Sequence, residues 1–309
     1  MIEISNLTKT FDGFTALNDL NLSVKKGSIY GLVGVNGSGK TTAIKHITGL
    51  YRPCAGEVKI AQTPVYDNAA IKEKVGYIPD DLYFFPHYTM KMLRAFYRGM
   101  YPAWNDERFT ILTNLFGLDV KRRVGKFSKG MQKQVAFVFV MSTMPDVLVL
   151  DEPIDGLDPI VRKEILQRII DDVAARELTV LVSSHNLKEM EGLCDAVGII
   201  KKGHMAVERD IDDLKSDVHK IQIALPQISP TSSGDITPDQ NNLNSGDSRT
   251  QQIGLDILHH EQRGSIEMLV VRGSEAEVSA KIKSLNPLVY DHLPLTLEEI
   301  FVYEGGGGQ

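Results

Sequence analysis

The sequence has few cysteines, no long apolar run and no excess of basic residues. Only Cys54 and Cys194 occur among its 309 residues, and their wide spacing matches no metal-binding pattern. No run approaches the roughly 18 apolar residues of a membrane span, and the N-terminus carries no signal peptide. The net charge of −6 argues against nucleic acid as a partner. We therefore expect a reduced, cytoplasmic protein that reaches a membrane only through another protein.

What the sequence does contain is a glycine-rich stretch, Gly34 to Thr42, that fits the pattern G-x-x-x-x-G-K-S/T at every fixed position. Residues 28–33 before it read as an apolar strand, and residues 41–50 after it as a helix that Gly49 can end. A loop that leads from a strand into a helix N-terminus presents backbone N–H groups and the positive end of the helix dipole to an anion. This stretch predicts a nucleotide phosphate site.

The residue types in the loop suit separate tasks. Lys40 can place its ammonium between the β- and γ-phosphates, and the Thr41 hydroxyl can ligate Mg²⁺. Glycine lets the backbone approach phosphate oxygens where a Cβ would clash, and the loop has it at Gly34, Gly37 and Gly39. The other loop residues of the predicted site are Asn36, Ser38 and Thr42.

Two further apolar strands, residues 147–150 and 179–182, end in chemically active residues. Asp151 and Glu152 follow the first strand, and His185 comes shortly after the second. In a parallel sheet the carboxyl ends of the strands lie at one edge, where ligands bind. Asp151 can then hold Mg²⁺, Glu152 can polarise an attacking water, and His185 can contact the γ-phosphate. The alternative is that the carboxylates cap the next turn and that the histidine is structural.

Phe11 and Phe14 stand in a loop between two strands at residues 1–7 and 16–24. They either close the end of a sheet or offer a ring that stacks on an adenine base.

Between residues 82 and 145 the pattern becomes helical. Met90, Leu93, Phe96 and Met100 recur at helical spacing, and we interpret this stripe as core. Ser128 is a good N-cap before an apolar helix at residues 135–144, which makes this helix entry a second, weaker candidate for a phosphate site.

Near residue 211 the pattern changes again, so we expect domains at 1–210 and 211–309. The second is a small α+β region. Its residues 226–252 are polar and predict a flexible insertion, and Gly305–Gly308 with Gln309 predict an unstructured tail.

With these motifs in this order, residues 1–210 resemble the ATPase subunit of ATP-binding cassette (ABC) transporters. The resemblance implies an α/β fold with a RecA-like P-loop NTPase core, an antiparallel β-subdomain and a helical signature subdomain. It also implies ATP and Mg²⁺ as cofactors. Two such domains of the family pack head to tail, and each ATP lies between one chain's phosphate loop and the partner's signature motif.

The resemblance assigns roles by position. Phe11 corresponds to the adenine-stacking aromatic, Glu152 to the general base and His185 to the switch histidine. Asp80 stands where the family has the glutamine of the Q-loop. The metal contacts implied are Thr41, Asp80 and Asp151. The nucleotide contacts implied from the signature motif and the D-loop are Ser128, Gly130 and Asp158.

Three residues depart from the family pattern. The Asp80 carboxylate cannot donate a hydrogen bond as glutamine does, and its charge is unfavourable near Glu152 and the γ-phosphate unless Mg²⁺ offsets it. Met131 and Lys129 replace a glutamine and a glycine of the signature motif. Similar substitutions occur in a branch of ABC-2-type exporters that includes bacterial ATPases encoded beside GntR-type regulators. We expect competent ATPase activity.

The function expected is that of the ATPase of an ABC exporter, held at the inner face of the cell membrane by an integral membrane permease. It would work as a homodimer or as a heterodimer with another ABC ATPase. Tyr83, Phe84 and Phe85 either dock on the permease or pack in the core. Two alternatives are a soluble ABC ATPase that remodels nucleic acid or ribosomes and, because of Asp80, a weakly hydrolysing regulatory cassette. The acidic charge and the single cassette argue against the first.

Overall fold

The computed structural model describes residues 1–85, 87–153, 155–226 and 253–304, and it divides into two units, Met1–Arg209 and Asp210–Gln309. The strands that begin in the first unit are β1 (Ile2–Phe11), β2 (Phe14–Val24), β3 (Ile29–Val33), β4 (Ala55–Ile60), β5 (Thr63–Pro64), β6 (Val75–Ile78), β7 (Val147–Asp151), β8 (Thr179–Ser184), β9 (Ala196–Lys201) and β10 (His204–Asp210). Its helices are α1 (Lys40–Ile47), α2 (Ala69–Lys72), α3 (Met90–Met100), α4 (Asp106–Leu115), α5 (Lys129–Ser142), α6 (Pro159–Arg176) and α7 (Leu187–Met190).

A six-stranded sheet in the order β10-β9-β3-β8-β7-β6 forms the centre of the first unit. Strand β3 pairs in parallel with β8 and β9, and β7 pairs in parallel with β6 and β8. Every residue of β3, β7 and β8 is buried, as continuous apolar runs predict for strands covered on both faces. The segments that follow these three strands therefore lie side by side at one edge.

The helix after the phosphate loop is shorter than predicted. It begins at Lys40 and ends at Ile47, three residues before the predicted end at Leu50. The Thr48 hydroxyl donates to the Ile44 carbonyl (3.0 Å), and Gly49 takes a φ of +67°, which turns the chain out of the helix.

A four-stranded sheet in the order β2-β1-β4-β5 is antiparallel throughout. Strand β1 continues four residues beyond its predicted end at Leu7, and Phe11 pairs with Phe14 across the turn. The irregular register of this pair breaks the alternation that sequence patterns rely on, so the longer strand was missed.

Helices α3 to α5 differ from the predicted pattern in two respects. Helix α5 begins at Lys129 rather than Val135, because Ser128 caps it through a bond from the Met131 N–H (3.3 Å). The interpretation of the α3 stripe as core is wrong for half of it. Met90 and Leu93 are buried, whereas Phe96 and Met100 are 46% and 54% exposed.

The second unit consists of α8 (Ile211–Asp217), β11 (Val218–Ala224), β12 (Asp256–Arg263), β13 (Ile266–Arg272), α9 (Glu275–Ser284), β14 (Val289–Leu293) and α10 (Leu297–Glu304). Its strands form an antiparallel sheet in the order β12-β13-β11-β14. Its buried cluster includes Ile221, Leu269, Val271 and Ile282. The predicted insertion, apart from Pro226, and the predicted tail lie outside the described residues. Within the described ranges of both units, no helix is long and apolar enough to cross a membrane.

Candidate functional site

The loop between β3 and α1 is a tightly packed backbone turn. Gly37 and Gly39 take φ values of +79° and +115°, which side chains disfavour. A Cβ added at Gly34 would lie 2.5 Å from the Ile200 carbonyl oxygen, and one at Gly39 would lie 2.8 Å from a Leu17 methyl carbon. The loop thus requires glycine at these positions and leaves its backbone accessible to an anion.

Lys40, at the start of α1, is buried at the mouth of this loop. Its Nζ donates to the Gly34 carbonyl (2.6 Å) and lies 3.4 Å from Glu152 Oε1. The lysine therefore joins the phosphate loop to the carboxylate pair that follows β7.

The Asp151–Glu152 pair is held by Ser183 of the neighbouring strand β8. The Ser183 hydroxyl donates to Asp151 Oδ1 (2.6 Å) and accepts from the Glu152 N–H (3.0 Å). Glu152 has a φ of +46°, uncommon for a residue with a side chain. Ser183 was not predicted. The sequence feature that could have indicated a role for Ser183 is its position directly after the apolar run of β8.

His185 completes this group from the end of β8. Its Nδ1 lies 3.0 Å from Glu152 Oε2. The hydrogen bond with Glu152 and the negative charge of that carboxylate raise the pKa of His185, with smaller contributions from Asp155 and Glu189. The structure thus brings Lys40, Glu152 and His185 together.

We expect the pKa of His185, measured by NMR titration of the histidine side chains, to lie above 6.5 and to fall in a Glu152→Gln variant. The raised pKa means that pairing favours the protonated imidazole. Its contribution to stability is present below the unfolded-state pKa and is lost as the pH rises through the folded-state value. His46, whose pKa is lowered mainly by burial, is the internal control and should not change. An unchanged His185 midpoint in Glu152→Gln would contradict the pairing.

A cleft of about 340 Å³ opens onto the phosphate loop, and its lining includes Lys40, Thr41, Thr42, Glu152, Asp80, Asn36, Phe11 and Phe14. The Phe11 ring meets Tyr51 edge-on (5.5 Å between centroids), with Lys9 Nζ 5.0 Å from its centre. Phe14 is largely exposed. The cleft therefore combines a phosphate-binding floor with an aromatic side.

Five of the predicted nucleotide contacts do not line this cleft. Gly34 and Ser38 belong to the phosphate loop itself, whereas Ser128, Gly130 and Asp158 lie elsewhere in the chain. Ser128 and Asp158 cap α5 and α6. Gly130 lines a second cleft of about 330 Å³, together with Lys129, Asp80 and Asp155. One chain thus holds two separate groups of predicted site residues.

Asp80 lies between these two groups and lines both clefts. Its Oδ1 is 3.6 Å from Nζ of Lys133, a residue that sequence reasoning missed. Lys133 also donates to the Glu152 carbonyl (3.1 Å). Burial, with the charges of Asp151 and Asp80, raises the pKa of nearby Tyr77, so that its hydroxyl stays protonated.

The side chains present fit a nucleotide and a divalent cation. The buried Ser38 Oγ has no hydrogen-bond partner within the described part of the chain, and such an atom suits a phosphate contact. Ligand atoms of Glu152, Asp155 and His185 lie within 4.8 Å of one another and could hold a cation, although this set differs from the predicted Thr41, Asp80 and Asp151.

A phosphate-binding loop between a parallel strand and a helix, beside a carboxylate pair at the end of another strand of the same sheet, defines the class of P-loop nucleoside triphosphatases. The family model described as "ABC transporter" matches residues 17–155. The ABC transporter ATP-binding protein YtrB of Bacillus subtilis is 30% identical over 307 residues, which cover 99% of each chain. The Nod factor export ATP-binding protein I of Burkholderia orbicola is 30% identical over 97% of this chain and 95% of its own length. The chain belongs to the ATP-binding subunits of ABC transporters.

The fold agrees with this assignment. A dimeric ATP-binding cassette solved in a post-hydrolysis state with ADP and Pi has a TM-score of 0.62 and 23% identity, and the likeness covers 68% of this chain and 99% of that one. The predicted RecA-like α/β fold is confirmed, as is the prediction of an ATPase. The link to GntR-type regulators stays a prediction.

Proposed function

We propose that this protein is the ATP-hydrolysing subunit of an exporter and that it drives transport through ATP-dependent closure and reopening of a dimer. The observation that carries the proposal is the position of Glu152, between Lys40 Nζ (3.4 Å) and His185 Nδ1 (3.0 Å), at the mouth of the phosphate loop. A general base needs to be held in this way beside the phosphates. Comparing the ATPase rates of the wild type and Glu152→Gln tests this proposal.

The proposed roles of the individual residues use the side chains that line the cleft together with Ser38 of the loop and Asp151 at the end of β7. Lys40, Asn36 and Ser38 with the loop N–H groups would hold the phosphates, and Phe11 would support the adenine. Thr41, Asp80 and Asp151 would hold Mg²⁺. When bound, Mg²⁺ neutralises phosphate charge.

Glu152 would accept a proton from the attacking water. Ser183 fixes its backbone N–H, and Lys40 and His185 orient its two carboxylate oxygens. His185 would also contact the γ-phosphate from the end of β8.

The dimer is proposed because one chain's cleft lacks Ser128, Gly130 and Asp158. A partner chain in a head-to-tail arrangement would bring its signature motif and D-loop to the cleft. The N-terminus of α5, capped by Ser128, would then face a phosphate across the interface.

We further propose that a membrane permease docks beside the Q-loop position and thereby holds the protein at the inner face of the membrane. Tyr83 and Phe85 are 81% and 48% exposed, which favours docking over core packing, and Phe96 and Met100 of α3 add exposed apolar surface. The full-length similarity to a Nod factor export subunit supports the direction of transport.

A Tyr83→Glu variant should lose most of its co-purification with the membrane permease, because a carboxylate in an apolar contact is costly to bury. Its ATPase activity without the permease should stay within about twofold of the wild type, an effect typical of a surface change. Tyr66→Glu, a second exposed tyrosine in the same unit, is the matched control. Retention of the permease by Tyr83→Glu would contradict this docking site, and recovery of ribosomes or nucleic acid instead would favour the remodelling alternative.

A further inference from the structure

Lys133 lies in the second turn of α5, largely buried between two segments that the proposed reaction uses. Its Nζ donates to the Glu152 carbonyl oxygen (3.1 Å) and lies 3.6 Å from Asp80 Oδ1. One ammonium thus links the helix of the signature motif, the Q-loop position and the residue proposed as general base.

The bond to Glu152 acts on an uncommon backbone conformation. A residue with a side chain at a φ of +46° persists only when its surroundings hold it there. Ser183 binds the N–H side of Glu152 and Lys133 binds the carbonyl side. Contacts from β8 and α5 thus hold both polar groups of the Glu152 backbone and fix the point from which its side chain projects, while Lys40 and His185 orient the carboxylate oxygens.

The pairing with Asp80 addresses a problem of charge. Asp80 and Glu152 line the same cleft, where their two carboxylates repel each other. The Lys133 ammonium supplies the opposite charge from within the chain.

We propose that Lys133 is a positioning residue for ATP hydrolysis, which holds the Glu152 backbone and compensates Asp80. The proposal rests on the assignment of Glu152 as general base. It predicts that Asp80 and Lys133 act as a pair, so that changing either residue alters the effect of changing the other.

The test measures kcat and KM for ATP in Lys133→Met, Lys133→Arg, Asp80→Asn and the double variant Asp80→Asn/Lys133→Met. Lys133→Met should lower kcat on the order of tenfold, because small misplacements of a reacting group cost up to about 100-fold. KM should change by less than about threefold, because an interaction that acts in the transition state alone leaves ground-state binding in place. Lys133→Arg should recover most of the lost rate, because it restores a buried cation that can donate.

The kcat of the double variant should be about threefold or more above that of Lys133→Met, because the double variant also removes the uncompensated Asp80 charge. Residues in contact commonly show such coupling. Lys163→Met, an exposed lysine on α6, is the control. Affinity for a fluorescent ATP analogue without Mg²⁺ should stay near the wild-type value in every variant. If Lys133→Met does not fold, Lys133→Gln replaces it.

The outcomes separate this inference from the proposed function. If Glu152→Gln abolishes turnover while Lys133→Met turns over like the wild type, the role of Lys133 is wrong and that of Glu152 stands. The inference would also be overturned if Lys133→Met lost ATPase rate and analogue affinity equally. It would be overturned as well if the effects of Lys133→Met and Asp80→Asn on kcat were strictly additive. Wild-type turnover in Glu152→Gln would instead reject the proposed function.

Discussion

Replacing Glu152 by glutamine should lower the rate of ATP turnover by at least about 100-fold, the usual contribution of a general base. The amide has nearly the shape of the carboxylate, but it cannot take a proton from water at neutral pH. The Lys40 ammonium, 3.4 Å away, would lose its ion-pair partner and remain free to face phosphate. ATP affinity should therefore stay within about threefold of the wild type, because the contacts that bind ATP before the reaction are unchanged.

Steady-state phosphate release measures the rate in this variant, and a fluorescent ATP analogue measures affinity. Size-exclusion chromatography with ATP should show dimers accumulating, because closure would proceed while reopening by hydrolysis would not. Glu164→Gln is a suitable control. Among the contacts described, Glu164 pairs only with Arg168, a surface arginine on the same helix. Turnover at the wild-type rate in Glu152→Gln would reject the base assignment.

The phosphate loop was predictable because its requirements are local. A buried run at residues 29–33, glycines where a Cβ would clash and a lysine at the helix start all lie within twelve residues of one another. The sequence neighbours of these residues determine most of their geometry. The meeting of Glu152 and His185 was also predictable, because adjacent parallel strands bring their carboxyl ends to one edge.

The contacts that orient this site were not predictable in the same way. Ser183 and Lys133 are 31 and 19 residues from Glu152 in sequence. Their side chains meet its backbone only because β8 pairs with β7 and α5 packs against β6, the strand on the other side of β7. A serine after a strand commonly caps the next turn, and a lysine in a helix commonly lies on its solvent-exposed face. Neither residue type therefore indicates by itself a role in orienting the site.

The misjudged stripe of α3 has a different cause. Periodicity identifies the apolar face of a helix. It does not distinguish a face that packs in the core from an exposed face that can bind another protein. Phe96 and Met100 lie at the same spacing as the buried Met90 and Leu93 and are nonetheless exposed. Only the packing of the folded chain separates the two halves of this helix.

The second large effect is expected for Ser128→Asp, which tests whether the partner's signature motif is needed. Ser128 caps α5 by accepting a bond from the Met131 N–H (3.3 Å), and aspartate is an equally good cap. The substitution should therefore preserve the helix and the fold. It also adds a negative charge where the proposed dimer brings a γ-phosphate to the helix N-terminus. Two like unit charges about 4 Å apart repel each other by about 4 kcal/mol at an effective dielectric constant of about 20.

Repulsion of this size would lower ATP turnover by about two to three orders of magnitude, since each factor of ten corresponds to about 1.4 kcal/mol. Because Ser128 does not line the cleft of its own chain, ATP affinity of the isolated chain should be unchanged. Ser274→Asp, the same substitution at the N-cap of α9, controls for the change in capping and should turn over ATP normally. Both variants should unfold near the wild-type midpoint. Normal turnover in Ser128→Asp would reject a site shared between two chains, whereas a loss of ATP affinity in the isolated chain would place Ser128 in its own chain's site.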